Sequence, residues 1–84
     1  MEKKLDVSML EPCEPLERTL EAIQQLAPGE YLNVMHRREP HLLYPLLDKG
    51  GFAWRCIEVL PDQYAIYIWR SSDKIASEEA AAHF

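Results

Sequence analysis

Two short stretches of this 84-residue chain gather most of the side chains capable of chemistry. Glu11-Pro12-Cys13-Glu14-Pro15 sets a thiol just ahead of a Glu-Pro pair, and His36-Arg37-Arg38-Glu39-Pro40 sets an imidazole and two guanidiniums ahead of another. Proline suits the first helical position, because its missing N–H would be unpaired there and its φ is already helical, so both Glu-Pro pairs read as helix starts. A thiol directly before a helix lies near unpaired N–H groups and the positive end of the dipole. These stabilise a thiolate and lower the pKa from its free value of about 8.5. Glu11 and Glu14 flank Cys13 and oppose that shift. Cys13 is therefore either a reactive thiol or an incidental loop cysteine. Glu14, Pro15, His36, Arg37 and Arg38 form a candidate site for an anion such as a carboxylate, a phosphate or the end of a persulfide. The competing reading is a solvated loop in which Arg38 pairs with Glu39 or Glu11.

The elements that must position these groups follow from apolar spacing. Lys4 to Val7 reads as a first strand. Leu16, Leu20, Ile23 and Leu26 recur at helical spacing over Glu14 to Leu26, and Ala27-Pro28-Gly29 ends that helix. Glu30 to His36 alternates as a strand, with Leu32 and Val34 on one face and Tyr31, Asn33 and Met35 on the other. Pro40 to Lys49 reads as a short, strongly apolar second helix, closed by Gly50-Gly51. Phe52 to Leu60 and Gln63 to Arg70 are rich in aromatic and β-branched residues and join through Pro61-Asp62 as a hairpin. Tyr64, Ile66 and Ile68 share one face of the last strand, and Ala65, Tyr67 and Trp69 share the other. Both faces of that strand are apolar, so the second is expected to be covered by a partner or by the tail, Ser71 to Phe84, a frayed helix or a disordered segment.

The order β-α-β-α-β-β over residues 1–70 predicts an α+β two-layer sandwich, with a four-stranded mixed sheet and two helices on one face. If the first two strands are parallel neighbours, both Glu-Pro junctions fall at the carboxyl edge of the sheet, where such folds place their sites.

Composition narrows the function. One small domain is expected at this length, burying roughly 60% of its unfolded surface. With 48% apolar and 27% charged residues the chain is globular rather than disordered. The formal charge of −5 excludes nucleic acid and anionic membranes as main partners, although a local basic spot remains at Arg37 and Arg38. No apolar run is long enough for a signal peptide or a membrane span, which places the chain in the cytoplasm, free of disulfides. His36 and His41 have neither the spacing nor the companions of a metal site, and no cofactor is implied. Cys56, inside a strand, reads as a packing residue. Trp54, Tyr64, Tyr67 and Trp69 read as sheet packing rather than a base-stacking platform.

This order, with Leu5-Asp6, Leu10-Glu11-Pro12-Cys13-Glu14-Pro15, Ala27-Pro28-Gly29-Glu30 and Ile66-Tyr67-Ile68-Trp69-Arg70, resembles the TusA-like (SirA-like) family of sulfur-carrier domains over residues 4 to 70. With Arg38-Glu39-Pro40 and Leu43-Tyr44-Pro45-Leu46-Leu47 it is more closely similar to an uncharacterised domain-of-unknown-function branch. Members of that branch are often found with hemerythrin-like or respiratory metabolism proteins. The carrier signature is Cys-Pro-x-Pro, with the cysteine carrying a persulfide between proteins. Aligned on Pro15, the carrier cysteine falls on Pro12 and its first proline on Cys13, so the motif is transposed. The resemblance implies a non-catalytic domain that acts through contacts with a protein partner, as a sulfur-transfer or redox-metabolism accessory. The alternative is a regulatory module that binds an anion or small ligand without cysteine chemistry. Pro12 at the aligned position and the two glutamates weigh toward a non-covalent role.

Overall fold

The structure, a computed structural model, describes residues 1–8 and 14–84. Its elements run β1 (Glu2–Asp6), α1 (Glu14–Gln24), β2 (Tyr31–His36), α2 (Leu43–Gly50), β3 (Phe52–Leu60), β4 (Gln63–Arg70) and α3 (Lys74–Ala81). The four strands form one mixed sheet in the order β1-β2-β4-β3. β1 and β2 are parallel neighbours, and β4 runs antiparallel to both β2 and β3.

Register follows the alternation of apolar residues. Leu5, Val34, Ile66 and Cys56 stand in one row across the sheet, and Leu32, Ile68 and Trp54 in the next. These side chains face α1 and α2, and the core they share includes Ile23, Leu26, Leu43, Leu47 and Phe52. Both helices therefore pack on the same face, as the pattern predicts. Leu47, Ile66 and Ile68 are fully buried, whereas Leu16 and Leu20 are only half-buried at the margin of this core.

Tyr31, Ala65 and Tyr67 point to the opposite face and are covered by α3 through Ala76 and Ala80, both fully buried. Two alanines one turn apart let the helix approach the aromatic rings closely. Asp73 caps α3 by accepting from the Ala76 N–H at 3.0 Å, and its second oxygen accepts from the Gly29 N–H at 2.7 Å. Beyond the helix, His83 stacks on Tyr67 and its Nε2 lies 2.5 Å from the Tyr31 hydroxyl. The Arg55 guanidinium lies over the Phe84 ring at 5.2 Å. The second apolar face is thus covered by the tail of the same chain, which forms a helix there.

The second helix start needs correction. Glu39-Pro40 does not open α2, which begins at Leu43 with Leu42 at its N-cap and no side-chain cap. Pro45 supplies the reason. In a helix beginning at Pro40 it would be interior, with no N–H to donate and a ring clashing with the His41 carbonyl. Starting at Leu43 brings Pro45 into the first turn, where N–H groups are unpaired in any case. Residues 39–44 instead form tight turns, closed by His41 N–H to Glu39 O and Leu43 N–H to Pro40 O, each at 3.0 Å. α2 ends as expected, with Gly51 in the left-handed conformation at φ 79°.

Leu47→Ala should cost about 2–5 kcal/mol in urea unfolding, as a fully enclosed leucine does. Leu20→Ala, at the half-buried margin, should cost clearly less; equal losses would contradict the packing described.

Candidate functional site

The site is built where β1 and β2 end side by side. The Val7 N–H donates to the Met35 carbonyl at 2.9 Å, which carries the parallel ladder one residue past Asp6. On the helix side of this edge lies a cleft of about 500 Å³. Leu16 and Thr19 of α1 form one wall, Val34 of β2 the floor, and Leu43 of α2 the other wall. His36, Arg38, Glu39, Pro40, His41 and Leu42 complete it. Val34 and Leu43 are themselves core residues, so the apolar lining is continuous with the core. Leu42 stands 81% exposed among the lining residues.

The bend that follows β2 separates the predicted basic group. His36 and Arg38 line the cleft, whereas Arg37 lines a hollow of about 650 Å³ formed with Asp6, Asn33, Met35, Asp62 and Tyr67, and His36 touches both. The hollow belongs to the other side of the sheet, where Asn33, Met35 and Tyr67 lie. Arg37 and Arg38 therefore do not act as a pair on one ligand. Neither makes an ion pair among the described residues, so the proposed pairing of Arg38 with Glu39 is not formed. Glu39 instead accepts from the Tyr44 hydroxyl at 3.0 Å and has His41 Nε2 3.6 Å away.

The backbone donors expected at this edge are already used. The N–H groups of His41, Leu43 and Tyr44 close the turns before α2, and Arg38 N–H donates to His36 Nδ1 at 3.0 Å. Because His36 Nδ1 is an acceptor, its neutral form carries the proton on Nε2. Burial lowers the His36 pKa, and the charges of Arg37 and Arg38 lower it further.

Of the remaining predicted residues, Glu14 and Pro15 open α1, two residues ahead of the cleft-lining Leu16. Cys13 lies outside the described residues. Cys56 packs at the margin of the helix-side core, as expected, with its thiol pushed up mainly by burial while a hydrogen bond from Tyr44 pulls the other way. Tyr44 is the residue that sequence reasoning missed. An apolar helix face is what the pattern suggests for it, yet its ring stacks on Trp54 at 5.0 Å and its hydroxyl donates to Glu39. An acidic residue five positions earlier, across a turn, was the only available signal. Among the described residues no group of three His, Cys, Asp or Glu could hold a metal, and no helix is long and apolar enough to cross a membrane.

A mixed four-stranded sheet with a cleft at its carboxyl edge, apolar inside and lined by Arg38, defines a small α+β domain. The model of the family described as "Uncharacterized conserved protein (DUF2249)" matches residues 4–70, and the chain belongs to that family. α3 lies beyond the matched residues. No curated protein and no solved structure gives a significant match.

The lowered pKa sets a pH dependence. Between the folded value of His36 and the unfolded 6.5 the unfolded chain holds the extra proton, so stability falls as pH drops through about 6.5 and levels off once the folded state is protonated. Imidazole NMR should give a His36 midpoint below 6.5, which moves upward in Arg37→Ala. A midpoint at or above 6.5 would contradict the burial described.

Proposed function

We propose that this domain binds without turnover, in the cytoplasm, and that the cleft between α1 and α2 is its binding surface for an anionic small ligand. The observation that carries this reading is the combination in one cavity of core-quality apolar walls and an arginine with no ion pair among the described residues. Pockets of roughly 300–1,000 Å³ with mostly apolar walls and a few polar groups are the usual form of ligand sites. On a chain of net charge −5, a cation with no ion pair among the described residues at such a cleft is a selective feature rather than part of a general basic surface.

A second reading, contact with a protein partner as a TusA-like sulfur-transfer or redox accessory, is favoured by exposed apolar surface. Leu42 and Leu46, in and before α2, are large apolar residues 81% and 40% exposed, and Cys13 stands in the sequence directly before α1. In that role the Cys13 thiolate would attack the outer sulfur of a donor persulfide, take that sulfur and release the donor's thiolate.

The first reading is tested with 8-anilinonaphthalene-1-sulfonate, an apolar anion, followed by amide chemical shifts. Changes should cluster at residues 16–19 and 34–43; changes spread over the whole surface, or none, would sink it. The second is tested by mass spectrometry after incubation with a small-molecule persulfide. Carrier function requires Cys13 to gain one sulfur that Cys13→Ser cannot gain, and to alkylate faster than Cys56. A Cys13 that stays unmodified eliminates the carrier role.

A further inference from the structure

We propose that the ligand of this cleft is a medium-chain monocarboxylate, its hydrocarbon body lying among Leu16, Val34 and Leu43 and its carboxylate meeting Arg38. The inference rests on reading the cleft as the binding surface and adds the chemical class.

The walls decide the body. Leu16 and Pro40 are half-buried and Leu42 is exposed, so these three supply the free apolar surface, above Val34 and Leu43, which are 1% and 2% exposed and close the base. A polar body placed there would lose its hydration with little returned, whereas each buried methylene contributes roughly 0.8 kcal/mol.

The charges decide the head group. Arg38 is the one cleft-lining arginine, since Arg37 serves the opposite side of the sheet. Of the remaining lining groups, His36 has its Nδ1 occupied by the Arg38 N–H and its imidazole disfavours a positive charge. Glu39 is engaged by Tyr44, with His41 beside it, and keeps a negative charge in the lining. The backbone N–H groups of Arg38, His41, Leu43 and Tyr44 are paired, so no amide nest exists among them for a phosphate. Phosphate dianions are held by several cations or by clustered N–H groups, and these four paired N–H groups beside one guanidinium offer neither. One guanidinium, presenting parallel N–H donors, matches one carboxylate.

The test titrates octanoate, octanol, acetate and octyl phosphate into the full chain, followed by calorimetry and amide shifts. Octanoate should bind at least about tenfold more tightly than octanol or acetate, with shifts at residues 16–19 and 34–43. Arg38→Ala should weaken octanoate about tenfold, the scale of one charge-assisted contact, and leave octanol unchanged. Arg37→Ala should bind octanoate as the natural chain does, because that side chain lines the other hollow. Equal affinity for octanol and octanoate, tighter binding of octyl phosphate, or equal losses in the two arginine variants would overturn the carboxylate assignment while the cleft remains a binding surface. Shifts with an acidic apolar peptide and none with octanoate would overturn it in favour of a protein partner. Silence toward every ligand, the anilinonaphthalene probe included, would remove the cleft reading as well.

Discussion

The structure depends on the burial of β4 on both faces. Ile66 and Ile68 are fully enclosed on one side, and Ala65 and Tyr67 are buried on the other. A strand apolar on both sides must be interior to a sheet and must have both sides covered. It lies between β2 and β3, with α1 and α2 over the first face and α3 over the second. The neighbouring β2 shares this position, with Val34 against the helices and Tyr31 beneath α3. What stands at the end of β2 is consequently held by two cores at once. His36 and the residues after it leave the sheet from a rigid base, which is a favourable place for a site that must keep its geometry.

Just past the end of β2 the basic residues divide. The strand stops at His36 and the chain bends over residues 37–38, so that Arg37 lines the hollow on the other side while His36 and Arg38 line the cleft. A basic run that looks like one cluster in sequence becomes one arginine for each side of the sheet. The tight turns before α2 then use the backbone donors of His41, Leu43 and Tyr44, and the Arg38 N–H is used by His36. Tyr44 closes this region from α2 by donating to Glu39.

Much of the fold was legible in the residues. The hairpin of β3 and β4 was marked by Pro61-Asp62, and Asp62 does adopt positive φ there, at 61°. The break after α1 was marked by Ala27-Pro28-Gly29, where Gly29 has φ 82°. The start of α2 was misread because a Glu-Pro pair resembles a helix start locally, whereas the position of a second proline five residues on decides where the helix can begin. The tail was ambiguous for a different reason. α3 has only a narrow stripe of alanines, and its stability comes from a cap that also reaches Gly29 and from the rings of Tyr31 and Tyr67, none of which is near it in sequence.

By itself the amino-acid sequence determined the types of the first six elements and the strand alternation. Those properties follow from periodicity and from the fixed φ of proline, which are local. Only the tertiary structure decided that Arg38 and Arg37 line different cavities, that an apolar cleft opens between α1 and α2, and that Tyr44 stacks on Trp54 while donating to Glu39. Each of these depends on which side chains from distant segments share a volume, and on which hydrogen bonds that packing has already satisfied. Neither is written into the spacing of any single stretch.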